Sequence, residues 1–373
     1  MLGMALAYSY SSDCTAPTER AMAFAAFQGC LFLGVAVGPA MGGLLIEATG
    51  SVLPVFYAAL ACHAAFIIWV LLILPESLSE RRQLAARRLA VTKKKQRSNR
   101  QWVWLNPREI LRPLKVLCPP GDKKRSRNLI LLAMTDIMIF FVEMGGTTVI
   151  LLYAEQSGLY LSTINSVRAV VLFAVMPGVV WYFRRPKSRA SLQPDSPYPD
   201  YTLPELDTPT HLESPSLDTE SGGYDSLDLT IIRIAVMIEA LGYTLYALSP
   251  SSSFFTMAGV ITSIGGMASP TIQSTLTKSV QREKTGELLG TMALLQSLAR
   301  IMGPAVFGGV YAVTVGTNIP GAVFWGLAGG LGVAVGAGWG VRSGVGWAER
   351  EDGRGQNDGR MVDGGDGEVE HTG

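Results

Sequence analysis

The sequence predicts an all-α, polytopic membrane protein, and three observations carry that prediction. Of the 373 residues, 48% are hydrophobic and 16% are charged, whereas about a quarter of an ordinary soluble domain is charged. The hydrophobic residues gather in eight runs, each about long enough to cross roughly 30 Å of hydrocarbon as a helix. Every second connecting segment lacks Lys and Arg. A soluble fold would have to bury eight helices that are hydrophobic on nearly every face.

The eight runs define the predicted spans. They are Ala21–Ile46, Val52–Leu74, Leu129–Leu152, Ile164–Phe183, Leu229–Leu248, Phe254–Leu276, Leu288–Thr314 and Ile319–Val341. A ninth hydrophobic stretch, Met1–Tyr10, is too short to cross a bilayer and is interpreted as the stub of a further span.

Basic residues define the predicted orientation. The segment Pro75–Asn128 holds 16 of the 31 Lys and Arg residues and four acidic residues, and the segments after the first, third, fifth and seventh runs hold no Lys or Arg. The positive-inside rule therefore places both termini and this basic loop in the cytoplasm. The sequence leaves open whether the membrane is plasma or vacuolar.

Three segments outside the spans complete the predicted organisation. Residues 75–128 form a basic cytoplasmic loop between two halves of the protein. Residues 184–228 carry nine acidic residues and seven prolines, a composition that predicts a disordered cytoplasmic loop. The tail 342–373 is rich in Gly and Asp and is predicted to be disordered as well.

An internal repeat links the first and seventh spans. The stretch around "GVAVGPAMGG" aligns with "RIMGPAVFGGV" at a constant offset, so that Gly38 meets Gly303 and Pro39 meets Pro304. Five spans lie between the two copies, which makes the repeat unit six spans. Parallel repeats of this kind are one way in which transporters are built.

The Gly-Pro stretch resembles a signature in the fifth span of the major facilitator superfamily, G-x8-G-x3-G-P-x2-G-G. The matching residues are Gly34, Gly38, Pro39, Gly42 and Gly43, while Ala25 stands where the leading glycine would fall. "YSYSSDCTAPTERAMAFAAFQGCLFLG" and "LLYAEQSGLYLSTINSVRAVVLF" resemble two span junctions of fungal and tetracycline-exporter-like members of the same family.

The resemblance implies the superfamily fold with an incomplete N-terminal half, residues 1–74, and a complete six-helix C-terminal half, residues 129–341. The chain is accordingly expected to be N-terminally truncated, without the first three spans and most of the fourth. The implied function is secondary, proton-coupled transport of a small solute by alternating access, in the direction of export. The alternative is a truncated membrane fragment that no longer transports.

Charged residues inside spans are costly and usually functional. The candidates for proton coupling or for lining the cavity are Asp136, Glu143, Glu239 and Arg300. Asp136 and Glu143 are seven residues apart, so they share a helical face within about 20°. An ion pair with Arg168 or Arg300 is the alternative explanation, and Arg168 itself is interpreted as a residue that extends to the outer interface.

The glycines of the repeat are predicted to pack helices rather than to bind a ligand. Gly34, Gly38 and Gly42 recur every four residues and form a smooth stripe that lets another helix approach closely. Pro39 allows a bend. The predicted packing motif also includes Gly43, Gly303 and Pro304.

The sequence argues against other classes of function. It contains no metalloprotease, hydrolase or phosphate-binding motif, and His63 stands alone in a span. We therefore predict no enzyme activity, no cofactor, no metal site and no nucleic-acid partner. The expected partners are an unidentified small molecule, protons and the lipid bilayer, with no prediction about oligomers.

Overall fold

The computed structural model of the protein describes residues 2–75, 83–84, 112–119, 123–153, 157–183, 226–281, 284–316 and 321–343. Most of the predicted basic loop and the predicted disordered segments between residues 184 and 225 and after residue 343 lie outside the described residues.

The described residues are helical almost throughout. The helices are α1 (Leu2–Cys14), α2 (Arg20–Thr49), α3 (Leu53–Leu72), α4 (Lys123–Tyr153), α5 (Ser157–Val170), α6 (Met176–Phe183), α7 (Ser226–Ala247), α8 (Ser252–Gly265), α9 (Ala268–Lys278), α10 (Thr285–Thr314) and α11 (Ala322–Gly340). A short 3₁₀ helix, Arg112–Leu117, precedes α4, and a π-helical turn, Val171–Val175, joins α5 to α6.

Seven helices in the described part are long and apolar enough to cross a membrane, with α5 and α6 counted as one. Seven of the eight predicted spans correspond to these helices. The remaining one, Phe254–Leu276, is divided into α8 and α9 at Gly266 and Met267. Two consecutive glycines weaken the helix there, and Pro270 has no N–H to donate to the carbonyl of Gly266.

The two copies of the internal repeat form matching helices. Helices α2 and α10 are each 30 residues long, and both ends of α10 lie 265 residues after those of α2. Each helix continues through its internal proline, Pro39 or Pro304. In a membrane protein the neighbouring helices can compensate for the carbonyl that such a proline leaves without a donor.

Helices α4 to α11 pack around one main core. Helix α4 lies between α10 and α11, while α7 contacts α8, α9 and α11. The buried hydrophobic side chains of these helices form a single cluster that includes Leu132, Ile232, Ile272 and Leu327. Because this bundle is packed on all of its inner faces, the polar side chains inside it are held in place.

Helices α1 and α2 pack across the surface of that bundle. Helix α2 contacts α5 and α9, and α1 contacts α10. Tyr8 of α1, Phe24 of α2 and Leu289 of α10 belong to a second small core at this junction. The junction brings the N-terminal elements next to the polar interior of the larger bundle.

Helix α3 has a different environment from all the others. It packs on α2, and none of its residues is buried within the part of the chain that the structure describes. Leu71 and Leu72 are 76% and 80% exposed. Such a surface would be unfavourable in water but suits lipid tails, which are as apolar as leucine.

Candidate functional site

Two carboxyl groups lie on the inner face of α4. Asp136 is 1% exposed and Glu143 is 9% exposed. Their spacing of seven residues separates them by about 10 Å along the helix axis. Each has its own set of partners, so the structure contains two neighbouring polar clusters rather than a carboxylate pair.

Asp136 accepts hydrogen bonds from three uncharged side chains. The amides of Gln273 and Gln296 donate to Oδ2, each at 2.8 Å, and the hydroxyl of Ser269 donates to Oδ1 at 3.2 Å. We call these four residues the Asp136 cluster. An amide carries both donors and an acceptor, so two glutamines can serve the ionised carboxylate and, after rotation, the protonated acid.

The break in the sixth predicted span positions half of the Asp136 cluster. Ser269 and Gln273 lie four residues apart in the first turns of α9, directly after Gly266 and Met267. Four residues apart on a helix places them on one face. The sequence prediction missed both residues. A signal was present, because the run that contains them is interrupted by "SPTIQST", a polar segment that a lipid-facing helix would not carry.

Tyr8 and Gln28 border the Asp136 cluster from the N-terminal side. The Tyr8 hydroxyl lies 3.4 Å from Oε1 of Gln28, and Tyr8 is within electrostatic range of Asp136. Tyr8 belongs to α1 and Gln28 to α2. The cluster therefore lies where the N-terminal helices meet the main bundle.

Glu143 forms an ion pair with Arg168 of α5. Arg168 Nη1 lies 2.8 Å from Glu143 Oε1, and the guanidinium lies over the ring of Phe32 in α2, 5.2 Å from its centroid. The side chain of Arg168 thus turns into the bundle, and the prediction that it extends to the outer interface is wrong. The Glu143 carboxylate lies within reach of the guanidinium, and a hydrogen bond between two charged groups is stronger than one to a neutral group.

Glu239 of α7 is buried without a donor. It is 0% exposed, and both carboxyl oxygens lack a hydrogen-bond partner among the described residues. Glu143 and Arg168 lie within electrostatic range of it. We call Glu143, Arg168 and Glu239 the Arg168 triad.

Aromatic side chains close the triad on one side. The hydroxyls of Tyr160 and Tyr246 are hydrogen-bonded to each other. Tyr246 also packs against Phe255 and Phe324, with ring centroids 4.6 Å and 5.7 Å away. Large rings around a charged group exclude water and strengthen its electrostatic interactions.

The remaining predicted residues lie outside both clusters. Arg300 is exposed, with its guanidinium 5.8 Å from the ring centroid of Phe140. His63 is exposed on α3, with Nδ1 2.8 Å from the carbonyl oxygen of Ala59. No group of three or more potential metal ligands occurs in the part of the chain that the structure describes.

The glycines of the two repeat copies have different surroundings. A Cβ at Gly303 would lie 2.6 Å from the carbonyl oxygen of Phe141 and 3.1 Å from the nitrogen of Gly145, so α10 and α4 touch through their backbones. At Gly34, Gly38 and Gly43, a Cβ would meet no atom of the described residues within 4 Å, and at Gly42 it would meet the side chain of Val55 at 3.8 Å. At the glycine that both copies share, Gly303 of the second copy thus touches a helix backbone, whereas Gly38 of the first copy has no neighbour among the described residues.

More than half of the chain matches a known protein family. The sequence signature of the Major Facilitator Superfamily covers residues 2–193. The chain belongs to the Major Facilitator Superfamily. It is an all-helical, multi-pass integral membrane protein with the fold of that superfamily, whose members are transporters rather than enzymes.

Relatives of the chain are found in fungi. The MFS-type transporter avaJ of Aspergillus versicolor is 26% identical over 333 residues, which cover 87% of this chain and 59% of avaJ. An uncharacterised membrane protein of Schizosaccharomyces pombe is 24% identical over 364 residues, covering 85% of this chain and 54% of that protein. The chain thus spans a little more than half the length of these relatives.

A solved structure has the same fold. The human organic anion transporter MFSD10 superposes with a TM-score of 0.60 at 17% sequence identity, over 90% of this chain and 67% of that protein. At this identity the likeness concerns the fold alone.

Proposed function

We propose that this superfamily member carries a small solute across the membrane by secondary, proton-coupled transport with alternating access, and that it works as an exporter. In this proposal Asp136 binds the coupled proton. Both termini and the segment 75–128 face the cytoplasm. The resemblance of the Gly-Pro stretch to a signature linked with exchange of substrate for protons supports the direction.

The observation that supports the proposal most strongly is the Asp136 cluster. A carboxyl group in the interior of a membrane protein is costly to bury, and such groups usually serve a function. Its three hydrogen-bond donors are uncharged, so among the described residues its hydrogen bonds come from neutral groups rather than from a cation. A group with neutral partners that accommodate both of its protonation states is suited to bind and release a proton.

The position of the cluster supports alternating access. Asp136, Gln273 and Gln296 belong to three helices of the main bundle, whereas Tyr8 and Gln28 belong to helices α1 and α2. A movement of α1 and α2 relative to the bundle would change the environment of Asp136. Binding of a proton and that movement are then linked, because each changes the free energy of the other.

The experiment is flux of two probes into proteoliposomes that contain the full chain, with and without an imposed pH gradient. The probes are fluorescein, an organic anion of the broad class for which MFSD10 is named, and ethidium, an organic cation. We expect the pH gradient to drive accumulation of at least one probe. Asp136→Asn, which cannot lose a proton, should abolish the dependence on the gradient, and Glu143→Gln should do the same.

The matched control is Glu47→Gln. Glu47 is exposed near the outer end of α2, so the same chemical change there should leave flux and its pH dependence unchanged. Unchanged flux and pH dependence in both Asp136→Asn and Glu143→Gln would contradict proton coupling through α4. Absence of movement of both probes would contradict transport of these two classes by this chain.

A further inference from the structure

Glu239 poses a problem that the proposed function leaves unsolved. Its side chain is completely buried, and neither oxygen has a donor among the described residues. An ionised carboxylate without hydrogen bonds is one of the most costly groups to bury, and the usual result is that it takes up a proton. The groups within electrostatic range of Glu239 are Glu143 on α4, Arg168 on α5 and Tyr243 on α7.

Arg168 is the cation that would otherwise neutralise Glu239, but it is already paired. One of its terminal nitrogens contacts Glu143 at 2.8 Å. Its Nε is buried and has no partner in the described part of the structure. Two carboxyl groups therefore lie within electrostatic range of one guanidinium that forms its ion pair with Glu143, and the Nε donor of that guanidinium has no partner among the described residues.

The break between α8 and α9 brings the two side chains together. A Cβ at Gly265 would lie 2.5 Å from the Cβ of Glu239, and one at Gly266 would lie 3.9 Å and 4.0 Å from the Cγ and Cδ of Arg168. Glu239 and the stem of Arg168 thus lie against two consecutive glycines. A methyl group at Gly265 would collide with Glu239, whereas one at Gly266 would lie in ordinary contact with Arg168.

We propose that Glu239 carries a proton in the state described here and that Arg168 exchanges partners between Glu143 and Glu239. When Arg168 pairs with Glu239, the proton leaves Glu239 and a proton binds to Glu143. One proton and one ion pair are present before and after, so the triad keeps its net charge. Glu143 is 9% exposed and Glu239 is fully buried, so the exchange moves a proton between the more exposed and the less exposed of the two carboxyl groups.

The experiment is infrared difference spectroscopy of the purified full chain in lipid nanodiscs, which reports the C=O stretch of protonated carboxyl groups and needs no substrate. Each variant is compared with the unmodified protein, so that the contribution of Asp136 cancels. Glu239→Gln should remove one carboxylic-acid band. Glu143→Gln should also remove it, because Arg168 then has only Glu239 to pair with.

Arg168→Leu separates this exchange from a merely structural role of the triad. Without the cation both carboxyl groups should be protonated, and the band should grow to about twice its intensity. Glu47→Gln is the matched control and should leave the band unchanged. A spectrum that does not change in Glu239→Gln would overturn the proton on Glu239, and a band that persists in Glu143→Gln would overturn the exchange.

Only the role of this exchange in transport rests on the proposed function. The infrared experiment and the flux experiment can therefore fail independently of each other. A normal band pattern in a protein that moves neither probe would contradict transport and leave the inference standing. Intact proton-driven flux in a protein without the Glu239 band would contradict the inference alone.

Discussion

Two buried aspartates of this protein, Asp228 and Asp136, differ in the kind of partner that each has. Asp228 at the start of α7 is buried and contacts the largely buried side chain of Lys278 at the end of α9, with Oδ2 and Nζ 2.5 Å apart. That pair joins the start of α7 to the end of α9, and its two opposite charges compensate each other. Asp136 has amide and hydroxyl donors instead of a cation. The first arrangement stabilises one structure, whereas the second leaves a proton-binding group in the interior.

The hydrogen bonds to Asp136 should be measurable in stability. Gln296→Ala removes a donor to a buried carboxyl group, and hydrogen bonds to charged groups contribute about 1.5–3 kcal/mol. We expect thermal unfolding of the purified protein in detergent to report a loss of that order. Asn165→Ala is the control, since the Asn165 amide donates to Leu161 in its own helix at 2.7 Å, and it should cost clearly less. Equal losses in the two variants would show that Asp136 does not depend on Gln296.

The sequence predicted that Asp136 and Glu143 share a helix face and offered Arg168 as an alternative ion-pair partner, which Glu143 has in the structure, but it did not predict the partners of Asp136. The seven-residue spacing is enough to place both on one face, because helical periodicity is local. Gln273 and Gln296 are 137 and 160 residues away from Asp136 in the chain, and their contact depends on how helices pack. Whether the Arg168 side chain turns toward the acidic residues or toward the membrane interface could not be judged from the sequence of one helix alone.

Among the helices, the most informative departure from prediction is the division of one span into α8 and α9. Hydropathy alone treats Phe254–Leu276 as continuous because its apolar residues continue on both sides of the two glycines. The break follows from the chemistry of the backbone. Gly265 and Gly266 have no side chain and weaken the helix, and Pro270 has no N–H to donate within it. Discontinuous helices are a recurring way to place polar groups in transporters, and here the break serves both clusters.

The internal repeat was predictable from the sequence, but the position of the close helix contact was not. Glycines recur every four residues only in the first copy, where such spacing would favour helix contact in membranes, whereas Ala299 and Phe307 stand in the second copy where the first has Gly34 and Gly42. The neighbour of Gly303 is α4, and no described helix occupies the corresponding position along Gly38.

This difference between the copies gives a paired test at Gly303 and Gly38. Gly303→Ala would place a methyl group against backbone atoms of α4, which cannot move aside, and such overpacking costs about 1–3 kcal/mol. Gly38→Ala meets no described atom within 4 Å and gains helix propensity, so it should be neutral or stabilising by up to about 1 kcal/mol. Thermal unfolding in detergent measures both, and a larger loss for Gly38→Ala would contradict the packing described here.

Over the whole molecule, the outward-facing side chains are suited to a lipid environment, whereas the interior contains the polar side chains that a solute pathway needs. Helix α3 presents almost entirely apolar side chains, with His63 as an exception, while buried polar residues are frequent in α4 and in the segment after the break, including Thr271, Gln273, Ser274 and Thr275. The fold class and the number of hydrophobic segments were predictable from the sequence because both depend on composition over about 20 residues.

The four cysteines of the chain test the proposed orientation without engineered labelling sites. Cys14 and Cys118 lie on the predicted cytoplasmic side, whereas Cys30 and Cys62 lie in α2 and α3, and all four are exposed on the protein surface. A membrane-impermeant maleimide should label Cys14 and Cys118 in inside-out vesicles but not in right-side-out vesicles. Cys30 and Cys62 should react only after detergent is added. Rapid labelling of Cys62 in intact vesicles would show that α3 does not face lipid.

The most direct measurement of the central claim, that Asp136 couples solute movement to protons, is the internal pH of proteoliposomes loaded with a pH-sensitive dye. A gradient of the transported probe is imposed at equal pH on both sides. Coupling is reciprocal, so the probe gradient should shift the internal pH with the unmodified chain and with Glu47→Gln, but not with Asp136→Asn. Probe movement without any change in internal pH, or an equal change in Asp136→Asn, would contradict the account.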